Sequence, residues 1–350
     1  MGSGDLFEVM DSCALHRNVD FPGNNHASFY NVMEIEPKVR KLLAERNIDV
    51  HFMARAVDVE KNGNSIKAVI TADGSVLSGD AFVDCTGTSG PMGNCMEYGN
   101  GCSMCICRCP AFGPRVSISA KAGGHDYMYQ RNDGAFGAFS GSCKLEKKSL
   151  SKALQKTLNK KGVAIVPLPK SLVKKEKLDM KVCRQYALPS FAENIILIDT
   201  GYAKMMTPFL PLEELRKVEG FDKARFADPY AGGKGNSIRY LAMTQRDDRM
   251  KVEGVDNLFC GGEKAGPYIG HTEAISTGSL AGYNAAKYAE GRELVTLPEN
   301  TAVGALIKYR GEKLVTFAGD FFFNFMKEKS LYQLDKGTIA SRVPEGIYYL

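Results

Sequence analysis

The stretch of sequence that decides the fold is Val255-Asp256-Asn257-Leu258-Phe259-Cys260-Gly261-Gly262-Glu263-Lys264-Ala265-Gly266. Its first half predicts a short buried strand, because apolar residues run up to a pair of glycines that favours a turn. The residues after it predict a long helix that ends near Glu290, with Gly291 as the stop signal. Small side chains line this helix and allow another backbone to come close: Ala274, Ser276, Gly278, Ala281, Gly282, Ala285 and Ala286.

The predicted strand, turn and helix also suit an anionic ligand. A helix amino terminus presents unpaired N–H groups and a partial positive charge, which favour a pyrophosphate or an anionic ring system. The glycines ahead of the helix leave space for such a ligand. Simple packing of a strand against a helix also favours Gly and Ala, so the pattern alone leaves both interpretations open.

Upstream of this unit, helical spacing gives way to a β pattern. Pro37 stands at the first position of one predicted helix, where its missing N–H costs nothing. Asn62-Gly63 and Asp73-Gly74 predict tight turns, and the last extended segment runs into Cys85-Thr86-Gly87. The predicted elements are helices over 5–13, 37–47 and 150–158, a loop over 18–25, and extended segments over 49–52, 54–60, 65–72, 81–84 and 194–199.

Residues 257–287 resemble the closing flavin-binding motif of one flavoprotein group, and residues 297–306 continue the similarity. The group contains the glucose-inhibited division protein A and the folate-dependent tRNA uracil methyltransferases. Residues 36–87 are similar in order and spacing to the same broad class of FAD-dependent oxidoreductases. The resemblance implies an α/β, glutathione-reductase-like FAD-binding fold with an inserted α+β domain.

The same resemblance divides the chain into four parts. It implies a first FAD-binding part over 1–89, an inserted substrate or redox domain with a cysteine cluster over 90–250, the closing motif over 251–291, and a tail over 292–350 that packs on the interface.

The resemblance also implies the cofactor contacts. Backbone at Val57 would meet the adenine, and Thr86 and Gly87 would pass close to the FAD. His271, at the helix start, is a candidate catalytic proton donor or ring contact, although a histidine in a capping turn is as often structural. Glu263 either contacts the cofactor or is an exposed turn residue. The closing motif supplies Gly261, Gly262, Glu263, Gly270, His271 and Thr272.

The sequence departs from the group at its beginning. Members open with a strand, a Gly-x-Gly-x-x-Gly turn and a helix, which hold the FAD pyrophosphate. The 36 glycines of this chain include no such motif after an opening strand. We therefore expect an amino-terminal truncation or a misassigned start, with Met1 an internal methionine; a native mass of 38.2 kDa would contradict this expectation.

Five of the ten cysteines lie within fifteen residues, which argues against packing alone. Cys102, Cys105 and Cys109 have the spacing of the last three ligands in the bacterial ferredoxin run. They predict an iron–sulfur site, with Cys95 or Cys107 as the fourth ligand or with three cysteine ligands alone. Alternatively, Cys102 and Cys105 form a catalytic redox thiol pair beside the flavin, or the cysteines are buried and inert.

Charge is unevenly distributed along the chain. Between Lys144 and Arg184 thirteen basic residues face three acidic ones, so this segment carries +10 while the whole chain carries only +5. Such a segment suits the phosphates of tRNA, although lysines on a helix exterior are also typical of any solvated helix. No apolar run approaches the roughly 18 residues of a membrane span, and no signal peptide opens the chain. We therefore expect a cytoplasmic protein without membrane contact.

These observations favour an FAD-dependent oxidoreductase in which the flavin works beside the cysteine cluster. Its partners would be a small-molecule or thiol substrate and an electron donor or acceptor, and we expect a homo-oligomer. Two alternatives stand beside it: a tRNA-modifying flavoprotein, as the resemblance implies, and a truncated, non-catalytic partner subunit. Flavin and iron analysis of the purified protein, together with a test for bound RNA that is lost at raised salt, distinguishes the three.

Overall fold

The computed structural model of the protein describes residues 4–87, 116–131, 133–139, 143–179, 181, 184–207, 210–227, 238–239, 241–311 and 314–343. Within these ranges no helix is long and apolar enough to cross a membrane. The helices are α1 (Gly4–Ser12), α2 (Val32–Glu45), α3 (Ile118–Ala122), α4 (Lys152–Lys161), α5 (Pro189–Glu193), α6 (Leu212–Leu215), α7 (His271–Ala289), α8 (Ala302–Lys308), α9 (Asp320–Glu328) and α10 (Lys336–Ser341).

The strands are short and belong to several small sheets. They are β1 (Ala14–Phe21), β2 (Asn24–Tyr30), β3 (Ala56–Asn62), β4 (Ser65–Thr71), β5 (Val76–Ser78), β6 (Phe82–Asp84), β7 (Asp126–Met128), β8 (Ala138–Phe139), β9 (Cys143–Leu145), β10 (Val163–Pro167), β11 (Asn194–Asp199), β12 (Ala203–Met205), β13 (Ile238–Arg239), β14 (Ala242–Thr244) and β15 (Leu258–Cys260).

One part of the molecule is organised around the parallel pair of strands β6 and β15. Phe82 pairs with Leu258, and the register continues to Asp84 opposite Cys260. Since parallel strands point the same way, the turns that follow Asp84 and Cys260 lie at one edge. Helix α7 packs against β15, where the rings of Phe259 and Tyr288 are 6.2 Å apart.

Asn257 joins this parallel pair to the three-stranded sheet β3–β4–β5. Its side chain is 4% exposed, and its amide nitrogen donates to the carbonyl oxygens of Ile66 (2.8 Å) and Asp80 (3.0 Å). Its amide oxygen accepts from the Ile66 N–H at 2.8 Å. One side chain thereby pairs both backbone groups of Ile66, as a neighbouring strand would.

A separate four-stranded antiparallel sheet, in the order β10–β11–β12–β9, occupies the middle of the chain. Its largest strand, β11, covers the predicted residues 194–199 and pairs with β10 over five residues. Helix α4 packs on this sheet and extends from 152 to 161 rather than over 150–158. Leu145, Leu158 and Leu197 are fully buried in the core between them.

The predicted loop over residues 18–25 is wrong, because this region forms the antiparallel hairpin β1–β2. Gly23, with φ +77°, allows the turn. Phe21 and Phe29 are buried together, with ring centroids 5.7 Å apart, against Phe191 and neighbouring residues of the four-stranded sheet. The few apolar residues of the hairpin are thus buried by a segment that is distant in sequence. The local spacing of apolar residues does not predict this burial.

Two further predictions upstream are wrong. Helix α2 begins at Val32 and not at Pro37, because Asn31 caps it by accepting from the Met33 N–H at 3.1 Å. The extended segment over 49–52 forms no strand. Phe52 is 61% exposed, and the central carbon of the Arg40 guanidinium lies over its ring, 4.7 Å from the ring centroid.

The tail belongs to the same core as α7 and β15. Val315 donates its N–H to the Pro267 carbonyl at 2.8 Å, and Ile269 donates to the Val315 carbonyl at 2.9 Å. Phe322 is buried in this core, whereas Phe321 is half exposed. The phenylalanine-rich helix α9 therefore contributes one face to the core.

Asn257→Ala tests the link between the two sheets. We expect a loss of roughly 3 kcal/mol in the free energy of unfolding, because the buried N–H and C=O of Ile66 lose their partner. Urea denaturation followed by circular dichroism gives the value. Asn300→Ala in an exposed turn is the control and should change stability by less than about 0.5 kcal/mol; equal effects of the two variants would contradict the proposed link.

Candidate functional site

A buried carboxylate fixes the turn that follows β6. Asp84, 4% exposed, accepts from the Thr86 N–H (3.1 Å) and hydroxyl (2.6 Å) through Oδ1. Its Oδ2 accepts from the Ser119 hydroxyl at 2.7 Å. Gly87 then adopts φ +69°, and a Cβ built there would meet no atom of the described residues within 4 Å. The turn is therefore held on one side by Asp84, and no described residue fills the space beside Gly87 on the other.

The turn after β15 lies directly against α7. Gly261 donates to the Asp84 carbonyl at 3.2 Å, and a Cβ on Gly261 would be 2.7 Å from the Cα of Gly278. Gly262, with φ +66°, donates to the Thr277 hydroxyl at 2.8 Å. Close packing of strand and helix thus explains Gly261, while Gly262 is explained by its backbone conformation.

Helix α7 begins beside this turn with Gly270 as its cap residue, and no side chain caps it. The Ala274 N–H donates to the Gly270 carbonyl at 3.1 Å, so the N–H groups of residues 271–273 precede the helical hydrogen-bond pattern. Glu273 is 2% exposed and accepts from the Phe317 N–H at 2.5 Å. Burial raises the pKa of Glu273. A raised pKa reduces the negative charge that Glu273 places near this helix end.

His271 lies on the wall of a cavity of about 770 Å³ beside the first turn of α7. The Tyr30 hydroxyl contacts its Nδ1, and the two ring centroids are 5.7 Å apart. Burial, and then the Lys204 ammonium, lower the pKa of His271, while Glu263 opposes this shift. The neutral ring is therefore favoured. Tyr30 comes from the amino-terminal hairpin, 241 residues away in sequence, and no local pattern predicts its role.

A buried ion pair holds the turn after β15 in place. Lys264 is 1% exposed, and its Nζ lies 2.9 Å from Asp126 Oδ2 and 2.9 Å from the Ser117 hydroxyl. The Thr244 hydroxyl donates to the other oxygen of Asp126 at 2.6 Å. The sequence gives no sign of this role, because a lysine after a glycine turn is ordinarily solvated.

The structure brings most of the predicted cofactor residues together. Four of them lie where the parallel strands β6 and β15 end, a place that we call the strand-end edge: Thr86, Gly87, Gly261 and Gly262. The turn over 262–265 connects this edge to α7. Gly270, His271 and Thr272 form the first turn of α7 and its approach, and Glu263 is half-buried. Val57 lies elsewhere, at the beginning of β3.

The cysteine cluster lies outside the described residues: Cys95, Cys102, Cys105, Cys107 and Cys109. The iron–sulfur site and the redox thiol pair therefore stay predictions. Across the described ranges, no group of three or more His, Cys, Asp or Glu side chains is arranged to hold a metal ion. Of the cysteines that the structure describes, Cys85 is exposed at the strand-end edge and Cys260 is buried.

The family model described as "Glucose inhibited division protein A" matches residues 1–195 and 193–293. The chain belongs to this family. The predicted resemblance is thereby confirmed. The crystal structure of GidA from Aquifex aeolicus in crystal form II superimposes with a TM-score of 0.66 at 14% identity, over 98% of this chain and 64% of that one. This likeness confirms the predicted α/β flavoprotein fold.

Two relatives are tRNA-modifying enzymes by name. The methylenetetrahydrofolate–tRNA-(uracil-5-)-methyltransferase TrmFO of Dinoroseobacter shibae is 37% identical over 109 residues, which are 31% of this chain and 24% of the relative. The tRNA uridine 5-carboxymethylaminomethyl modification enzyme MnmG of Chlorobaculum tepidum is 28% identical over 122 residues, 34% of this chain and 19% of the relative. The matched segments thus span less than a quarter of each relative.

Glu273→Gln tests the electrostatics of the α7 start. Because the folded-state pKa of Glu273 lies above its ordinary value of 4.5, its contribution to stability is complete below that pH and is lost as the pH rises through the folded-state pKa. Glutamine retains the acceptor for Phe317 but does not titrate. The variant should therefore gain stability relative to the wild type from about pH 4.5 upward, by at most about 1.4 kcal/mol per pH unit.

Urea unfolding of both proteins, at a series of pH values from 4.5 upward, measures this difference. A stability difference between Glu273→Gln and the wild type that does not change with pH would show that the folded core does not raise the pKa of this carboxyl.

Proposed function

We propose that this chain binds FAD at the strand-end edge and acts in the modification of uridine in tRNA. The observation that supports this proposal most directly is the geometry of the strand-end edge. Two parallel strands end in open glycine turns beside an uncapped helix start, in a family whose relatives carry tRNA-modifying names. In open α/β sheets, ligands bind beyond the carboxyl ends of the strands. The relatives' names support tRNA modification over a general oxidoreductase.

The residues at the edge fit a flavin dinucleotide. Gly87 leaves open space where a side chain would stand, and Asp84 holds the Thr86 turn in place. The N–H groups of residues 271 and 272 would donate to an electron-rich part of the cofactor. When bound, FAD supplies the electron or hydride transfer, and the protein supplies binding and orientation.

The basic segment between Lys144 and Arg184 supports an RNA partner in part. Lys147 is committed to the buried carboxylate of Asp199 at 2.7 Å, and Lys181 is buried. Lys156 and Lys160 are exposed one turn apart on α4, where they would meet phosphates without losing an internal partner.

The cysteine cluster would act beside the flavin as an electron relay or a thiol pair, and iron analysis of the purified protein tests that role.

Gly87→Ala and Gly63→Ala form a matched test of FAD binding. Both glycines have left-handed φ values, +69° and +60°, and a Cβ at either would meet no described atom within 4 Å. Each variant should lose about 1–2 kcal/mol of stability from backbone strain. Only Gly87→Ala should also lose FAD, because its methyl group would enter the cofactor's space.

The FAD released per mole of protein, after purification and after incubation with FAD, measures this effect. Equal FAD contents in the two variants would refute the location of the site. A wild-type protein that takes up no FAD would refute the flavin function altogether.

Lys156→Gln/Lys160→Gln tests the tRNA partner, with Lys38→Gln/Lys41→Gln on α2 as a control that removes the same charge. If α4 contacts the phosphates, the first double variant should bind unmodified tRNA more weakly and lower the salt dependence of binding by about one unit of slope per lysine. Filter binding over a salt series gives both quantities. Equal tRNA binding by the two double variants would exclude α4 from the interface.

A further inference from the structure

The 770 Å³ cavity beside α7 differs from the strand-end edge in its walls. It lies between the hairpin β1–β2, the strands β11 and β12, the first turn of α7 and residues 316–318. None of the strand-end residues 86, 87, 261 and 262 lines it. Its volume is typical of sites for small organic ligands. The first turn of α7 therefore has the edge on one side and this cavity on the other.

The Tyr30–His271 contact bears on which nitrogen of the imidazole carries the proton. Burial raises the pKa of Tyr30, so its hydroxyl keeps its proton and can donate it to Nδ1 of His271, and the tautomer of the ring decides which of the two atoms donates. A neutral imidazole that accepts at Nδ1 carries its hydrogen on Nε2. With Tyr30 as the donor, His271, which lines the cavity, therefore has Nε2–H as a hydrogen-bond donor.

The charges around the cavity favour an anion. Its lysines are Lys144, Lys181 and Lys204, and its carboxylates are Asp11 and Glu273. Asp11 already pairs with Arg17 at 3.0 Å, and Glu273 accepts from the Phe317 backbone. Lys181 is only 3% exposed, with Nζ 3.0 Å from the Met206 carbonyl and within 6 Å of the rings of Tyr186 and Phe191. Among the lining residues the lysines outnumber the carboxylates, and both carboxylates have partners, so the lining favours negative charge.

Thr200 gives an independent indication that a polar ligand belongs here. Its side chain is 8% exposed and lines the cavity, and its hydroxyl has no hydrogen-bond partner among the described residues. Buried hydroxyls are almost always paired in folded proteins. A ligand oxygen in the cavity would supply the missing partner.

We propose that this cavity binds an oxyanion, a phosphate or carboxylate group of a second reactant, through the Nε2–H of His271, the ammonium of Lys204 and the hydroxyl of Thr200. Tyr30 is then a positioning residue, because it acts through His271. The inference rests on the proposed function in one respect: the second reactant would meet a flavin bound at the strand-end edge across the first turn of α7.

The test is a titration of the full chain, as purified and after FAD loading, with inorganic phosphate and separately with acetate. Nitrogen NMR of ¹⁵N-histidine protein, with His271 assigned from His271→Asn, reports the tautomer and the binding. We expect a neutral ring protonated at Nε2 whose signal moves saturably with phosphate, acetate or both, and the responding anion identifies the class of group. Tyr30→Phe should mix the two tautomers.

Variants locate the anion in this cavity. Lys204→Met and Thr200→Val should each weaken anion binding, Lys204→Met by about tenfold or more, because a charge-assisted contact is lost. Lys287→Met and Tyr283→Phe, at the far end of α7, are the matched controls and should leave both tautomer and affinity unchanged. Circular dichroism verifies that every variant is folded.

Two results would overturn the inference: no saturable response to either anion, or a response that Lys204→Met and Thr200→Val leave intact. A His271 ring protonated at Nδ1 would overturn the role of Tyr30. FAD content is measured on the same samples, so a failure of flavin binding is seen separately from a failure of anion binding.

Discussion

The close approach of α7 to the parallel pair β6–β15 is the constraint on which the candidate site depends. A single added carbon on Gly261 would be 2.7 Å from the Cα of Gly278. Because no side chain separates strand and helix, the start of α7 is held next to the turn after β6. The same approach brings together the space beside Gly87 that no described residue fills and the N–H groups of residues 271 and 272.

Buried polar groups keep the surrounding segments in register with this core. Asp84 ties the strand end to Ser119, and Lys264 ties the next turn to Asp126. Asn284, in the middle of α7, pairs with the Arg249 carbonyl and with both backbone groups of Val295. Each of these groups is costly to bury alone, so the segments are stable only in the arrangement that pairs them.

The sequence predicts best those elements whose signals are local. The apolar run before Gly261, the small residues of α7 and the strand 194–199 need no distant partner to be recognised. The hairpin β1–β2 and the missing strand at 49–52 depend on tertiary burial, which decides whether an apolar residue such as Phe29 or Phe52 is covered. Spacing alone does not distinguish those two outcomes.

The residues of the candidate site also differ in how well the sequence predicts them. Its glycines are evident in the sequence, whereas the contact of Tyr30 with His271 and the place of Thr200 on the cavity wall depend on the packing of the hairpin on the four-stranded sheet. His16 of β1 lies 3.0 Å from Asp199, which also binds Lys147, and the Val32 N–H donates to the Thr200 carbonyl at 3.2 Å. These contacts hold the cavity wall to the sheet rather than to α7. The strand-end edge and most of the cavity wall are therefore built by different parts of the chain, and the first turn of α7 is the part that the two share.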